Sequence, residues 1–157
     1  MKGISMAMIM NGEVLLPASR EVVWEKLNDP GVLKECIPGC EELIKSGDNQ
    51  FQAVAKMKVG PVSARFKGRV TLSDFDPPNS YKISGEGEGG VAGFAKGGAT
   101  VALADREGGT LLTYGVEAQI GGKLAQLGQR LINGSAKKLA DQFFVNFADA
   151  VKDTEGK

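Results

Sequence analysis

Two cysteines, a pair of glutamates and a run of glycines are the residues in this chain whose types and spacing could do chemistry. Cys36 and Cys40 lie four apart, and the 157 residues include no histidine. A zinc site would therefore have to recruit carboxylates, an uncommon choice beside thiolates, and no metal is expected. The spacing is not that of a Cys-x-x-Cys redox pair. On a helix the two thiols share a face, where small apolar packing is the usual role. Glu86 and Glu88 share a strand face that alternates away from Ile83 and Gly85, so they read as a solvated acidic patch. Gly85, Gly87, Gly89 and Gly90 lack the strand-to-helix context of a phosphate-binding loop. A general base near neutral pH would need a carboxylate, lysine or cysteine with a shifted pKa, and no such pair stands out. No catalytic residue and no cofactor is expected.

The charges, 19 basic against 19 acidic, cancel. With a pI near 6.3 they offer no global field to attract nucleic acid. Segment 1–10 is methionine-rich and carries Lys2, yet it lacks the continuous apolar stretch and cleavage site of a signal peptide. No apolar run approaches the roughly 20 residues of a membrane span. A cytoplasmic protein is expected. The length suits one domain, 1–157, with ends frayed at 1–5 and 152–157.

The elements follow from hydrophobic period. A strand is predicted over 6–16. Pro17 and the capping Ser19 then introduce a short helix over 20–28, on which Val23, Trp24 and Leu27 fall at helical spacing. Asp29-Pro30 ends it and starts a second helix carrying Val32, Leu33 and Cys36, which Pro38-Gly39 breaks. From 41 to 120 the period is two, with turn signals at Ser46-Gly47-Asp48-Asn49, Asp76-Pro77-Pro78-Asn79, Gly89-Gly90 and Glu107-Gly108-Gly109. This is an antiparallel meander with one apolar and one wet face, its register unsettled through the glycine-rich 91–98. A single helix over 123–151 is predicted next, about 43 Å long at 1.5 Å per residue. Its stripe is Leu124, Leu127, Leu131, Ser135, Leu139, Phe143 and Phe147, facing the sheet.

The inward strand faces carry Ala53, Ala55, Ala64, Gly68, Gly85, Gly87, Ala99 and Ala118. Side chains this small leave a curved sheet and its covering helix short of interior packing density, about 0.75, so a cavity for a neutral apolar ligand is expected. The alternative is a tightly coiled sheet in close contact with the helix. Leu33, Ile37, Phe51, Met57, Phe66, Gly68, Ile83, Tyr114, Leu127, Leu131 and Ser135 are the candidate ligand contacts, Tyr114 and Ser135 each offering one hydrogen bond. Lys56, Lys58, Arg65, Lys67 and Arg69 form a basic row on the outer face, the candidate surface for a protein partner or phospholipid headgroups. Exposed edge strands leave room for a homodimer without compelling one.

The element order resembles the helix-grip domain of the START and Bet v 1-like (SRPBCC) superfamily. Trp24-Glu25-Lys26-Leu27-Asn28-Asp29-Pro30, with Leu33 and Ile37-Pro38-Gly39-Cys40, narrows the likeness. So do Val59-Gly60-Pro61-Val62, Gly93-Phe94-Ala95-Lys96-Gly97, and Gly121-Gly122-Lys123-Leu124-Ala125-Gln126-Leu127-Gly128. Together they resemble the carbon monoxide dehydrogenase G-subunit family. The resemblance implies an α+β helix-grip fold: a seven-stranded curved antiparallel sheet around a long C-terminal helix, with two short helices after strand 1. It further implies a non-catalytic, lipid- or quinone-binding accessory protein. The partner implied is a molybdenum hydroxylase of the carbon monoxide dehydrogenase type, with peripheral contact at the inner face of the membrane. The superfamily also contains cyclase- or hydratase-type enzymes, which would need an acid such as Glu117 beside Tyr114 in the cavity; alternation places Glu117 outside.

Overall fold

The computed structural model describes residues 5–155 and runs strand, two helices, six strands, two helices. Positions 1–4 and 156–157, within the ends read as frayed, lie outside the described residues. Strand β1 (Ser5–Leu16) leads into α1 (Arg20–Leu27), whose start is capped by the Ser19 hydroxyl accepting from the Val22 amide at 3.3 Å. Asn28 closes α1 by donating from Nδ2 to the Trp24 carbonyl. The next residue, Asp29, caps α2 (Pro30–Cys36) by accepting from Gly31 and Val32, with Pro30 in the first turn where its missing amide costs nothing. Asn28-Asp29-Pro30 is thus a helix-to-helix joint.

Strands β2 (Cys40–Gly47), β3 (Gln50–Val59), β4 (Val62–Asp76), β5 (Ser80–Glu88), β6 (Phe94–Arg106) and β7 (Gly109–Gly121) follow as hairpins. With β1 they form one antiparallel sheet in the order β1-β7-β6-β5-β4-β3-β2. The register unsettled in the sequence is fixed by a 3₁₀ turn at Gly90–Ala92, after which Ala95, Gly97 and Ala99 face inward opposite Gly87, Gly85 and Ile83. β4 and β3 extend past the end of β5, since Lys67 is the residue that pairs with Glu88. Their two-residue turn, Gly60-Pro61, therefore overhangs the β5–β6 turn.

The predicted single C-terminal helix is two helices. α3 (Lys123–Gln126) stops at Leu127, and α4 (Gln129–Glu155) starts after Gly128, whose φ of 91° only glycine adopts without strain. After the break the buried residues of α4 are Ile132, Phe147 and Val151, of which Phe147 alone belongs to the predicted stripe. Leu131 leaves it and is 38% exposed. The core falls into two clusters along α4. One gathers Leu16, Val23, Leu112, Phe147 and Val151 with Tyr81 and Phe51; the other gathers Met8, Ile120, Leu124, Ala125 and Ile132 with Phe66 and Leu127. Among the described residues no helix is long and apolar enough to cross a membrane.

Candidate functional site

Between the two clusters the middle of the sheet is built from small side chains. Val70 on β4, Ile83, Gly85 and Gly87 on β5, Ala95, Gly97 and Ala99 on β6, and Val116 and Ala118 on β7, with the outward-alternating Glu86, Lys96 and Gly98 between them, line a largely apolar trough of about 310 Å³. None of these residues is buried, so the trough is an open concavity and not a sealed void. Along α4 the buried Ile132 and Phe147 are separated by the half-buried Ala136 and Ala140, which keep the helix thin there. The glycines have a second reason to be glycines. A Cβ on Gly85 would stand 2.8 Å from the Arg69 carbonyl, and one on Gly97 would collide with the Glu117 carbonyl. Close strand approach and an unfilled interior thus share one cause.

Alternation leaves the inner positions of β1 and β3–β7 around the trough without a charged side chain; the inward-phase Asp105, at the far end of β6, is exposed and accepts from Arg20 of α1 at 2.9 Å. Glu117 is exposed on the outer face, and the Tyr114 hydroxyl occupies the space a Gly12 side chain would take, its ring stacked on Phe144 at 5.4 Å. Tyr81, 4% exposed, has its phenol pushed up in pKa by burial. Burial, and secondarily Glu35, raises the Cys36 thiol; burial likewise raises Cys40. Both therefore favour the unreactive protonated form. Among the described residues no cluster of Cys, Asp and Glu could hold a metal. Three larger depressions lie elsewhere: about 550 and about 700 Å³ on the outer sheet face around Arg69, Glu86 and Lys96 and around Ser84, Thr100 and Gly115, and about 430 Å³ on the exposed back of α4 around Lys137, Asp141 and Gln142. They are furrows between solvated polar side chains, whereas the smaller inner trough has apolar walls, which makes it the candidate for an apolar ligand.

Of the residues singled out in the sequence, Ile83 is a trough wall. Met57, Phe66 and Gly68 are half-buried on the same inner face, and Ser135 is half-buried on α4. Phe51 is buried in the first cluster, Tyr114 packs against it, and Leu127 packs against the second. Leu33 and Ile37 sit half-buried on α2 and at its end. Leu131 lies over the β3–β4 turn, its Cδ2 2.6 Å from where a Gly60 Cβ would stand. Sequence reasoning passed over Val70, Ala95, Gly97 and Val116 as contacts, because the register of β6 had to be known before these four could be seen together.

The outer basic row is interleaved with acids. Arg65 donates twice to Glu41, at 2.6 and 3.0 Å, and this pairing holds the Glu41 carboxyl below its ordinary pKa. Lys67 stands opposite Glu88, and Arg69 opposite Glu86.

Three of the motif segments meet at one end of the sheet. Gly60 accommodates Leu131; Gly93 and Gly122 cross so closely that a Cβ on Gly93 would collide with the Gly121 carbonyl; and the Phe94 ring covers Gly121. Their glycines are the joints of that end.

Comparison with known proteins agrees with this geometry. No curated protein matches the sequence. A conserved protein from Geobacillus kaustophilus has a solved structure 32% identical, with a TM-score of 0.87 over 96% of this chain and 97% of that one. The Zhui aromatase/cyclase from Streptomyces sp. R1128 is 11% identical with a TM-score of 0.65, covering 94% of each chain. Ara h 8.0201 is 13% identical with a TM-score of 0.66, over 94% of this chain and 99% of that one. The last two likenesses are of fold, the Bet v 1-like helix grip. Residues 12–152 match the family of the carbon monoxide dehydrogenase G-subunit (CoxG), and the chain belongs to that family.

Proposed function

We propose that this protein carries a neutral apolar molecule, a lipid or a quinone, in the trough between the sheet and α4. Family and fold both suggest a ligand-binding accessory protein. The single observation that narrows the cargo is the uncharged stretch of inner face around the trough, opened by small residues between two core clusters. At about 310 Å³ the trough sits at the lower end of the roughly 300–1,000 Å³ of small-molecule sites. A quinone ring or a segment of acyl chain fills it, and the rest of the molecule leaves through the open side. In the setting of its family the chain serves a carbon monoxide dehydrogenase-type molybdenum hydroxylase, through delivery of the electron acceptor or peripheral recruitment to the membrane.

One fold neighbour is an enzyme, an aromatase/cyclase. The non-catalytic reading rests on the inner face around the trough, where among the described residues no acid lies beside Tyr114 and no inward side chain is charged. The deciding experiment is native mass spectrometry with lipid extraction on protein purified from its own host. The expected result is one apolar molecule per chain. An empty chain bound instead to part of a dehydrogenase would replace the carrier by a docking factor acting through protein contacts alone.

A further inference from the structure

Helix α4 is anchored unevenly. Its C-terminal half carries the fully buried Phe147 and Val151, and Asn146 donates from Nδ2 to the Cys36 carbonyl of α2 at 2.9 Å. Among the described residues of α4 the remaining buried side chain is Ile132, and none from 133 to 146 is buried. Glycines bracket the segment that carries Ile132. Gly128, at φ 91°, breaks the chain from α3. Gly134 lies inside the helix between Asn133 and Ser135, all weak helix formers. A Cβ at position 134 would meet nothing within 4 Å, so no close contact requires a glycine there. What a Gly-Ser pair does supply inside a helix is a place to bend or fray.

Between these glycines, segment 129–133 is fastened at its rim. Gln129 donates from Nε2 to the Ala7 carbonyl of β1 at 2.9 Å in an exposed position, and Leu131, itself 38% exposed, rests on Gly60. Ile132 enters the second core cluster, where Met8 and Ile120 come from the sheet and Leu124 and Ala125 from α3. That cluster abuts the trough. The trough walls Ala95, Val116 and Ala118 pack against it, and the inward positions of β7 run from Val116 and Ala118 in the trough to Ile120 in the cluster. Ile132 is therefore the part of this closure that α4 supplies.

We infer that segment 129–133 is a hinged stopper, with Ile132 as the plug that sets how long an apolar molecule the trough accepts. The inference rests on the carrier reading and deepens it. A trough of about 310 Å³ holds a ring or a short stretch of chain. For the part of a cargo that outgrows it, the open side offers water, whereas the place of Ile132 offers Met8, Ile120 and Phe66. A tail that takes this place moves the stopper outward by a turn at Gly128 and a bend at Gly134. The displaced side chain and its replacement are both apolar, so the cluster stays covered, and the exposed Arg130 stays in solvent throughout.

Amide hydrogen exchange on the ligand-free chain reads the stopper, and calorimetric titration with a tail-free benzoquinone and its decyl derivative reads its effect. Amides 132–138 should exchange through a local opening well before those of 143–151. Gln129→Ala, which unfastens the segment, should speed that exchange at least about twofold. Gly134→Ala, which stiffens the helix, should slow it about two- to fivefold. The decyl quinone should deprotect the same amides and the tail-free quinone should not. Ile132→Ala, with a lighter plug, should raise the preference for the decyl quinone about tenfold. Should that variant fold poorly, Gln129→Ala is expected to shift the preference the same way and Gly134→Ala the opposite way. If both quinones bind but amides 132–138 open only with the whole molecule, or the preference ignores the substitutions, the stopper is overturned and the carrier reading stands. If neither quinone binds, the carrier reading falls and takes the stopper with it.

Discussion

At the scale of single residues, the interior shows where pH should act. Tyr81 is the buried ionisable group whose shift is largest, its phenol raised well above the ordinary value near 10 by loss of solvent. The ring is held edge-on by Trp24 at 5.3 Å and stacked by Phe75 at 6.1 Å. Because the folded-state pKa is raised, folded and unfolded chains are both neutral at this position below about pH 10, and its contribution is fully present there. Above that pH the unfolded chain loses the proton first and stability falls, by up to about 1.4 kcal/mol per pH unit for one group. Urea unfolding measured between neutral and strongly alkaline pH should show this slope in the native sequence and a flatter one in Tyr81→Phe. Parallel slopes in the two proteins would mean that Tyr81 ionises in the fold. None of this was visible from one tyrosine in a strand pattern, since the shift depends on three aromatic rings brought from α1, β4 and β5.

At the scale of elements, the change of hydrophobic period marks nearly every boundary, and the misjudged element shows what period alone leaves out. Leu124, Leu127 and Leu131 continue the spacing of an unbroken helix, so Gly128 passes for a tolerated interior glycine. The positive φ that splits α3 from α4 is a tertiary outcome: the close crossing of Gly93 and Gly122 fixes where the chain leaves β7. Once the break is present the phase shifts, Ile132 takes the buried place, and Leu131 moves onto Gly60. The basic row had the same difficulty, because Glu86 and Glu88 are recognised as neighbours of Arg69 and Lys67 only when strand register is known. Two glycines of the C-terminal segment separate backbone strain from packing, since an added Cβ meets nothing within 4 Å at either Gly128 or Gly134. Gly128→Ala should destabilise by about 1–2 kcal/mol, the cost of a left-handed conformation in a residue with a Cβ. Gly134→Ala, inside α4, should stabilise by about 0.5–1 kcal/mol. Denaturant midpoints of opposite sign would establish the break in solution. A gain at both positions would restore the single helix expected from the pattern.

At the scale of the whole molecule, the small-residue band across the sheet is either a binding site or a defect, and one position can distinguish them. Gly87 lines the trough, and a Cβ added there would meet the Lys67 carbonyl at 3.7 Å and the Gly68 Cα at 3.9 Å, ordinary contacts that leave the backbone undisturbed. Gly68 is a tighter choice, because its Cβ would come within 3.2 Å of the Glu86 carbonyl. A phenylalanine at position 87 projects its ring into the trough. If the trough is open in solution, Gly87→Phe covers apolar surface and should hold or raise stability in the absence of ligand, by up to about 2 kcal/mol. If helix and sheet instead close on one another in solution, the same ring overpacks the interior and should cost about 1–3 kcal/mol. Ligand linkage supplies the functional half of the test. A carrier bathed in an apolar ligand at a hundred times its Kd gains about 2.7 kcal/mol, and the variant should gain none because its site is already filled. Stability kept and ligand response lost is the combination the carrier requires. Stability lost in Gly87→Phe would mean that the small residues serve close packing, and any cargo would then have to be sought outside the grip of α4.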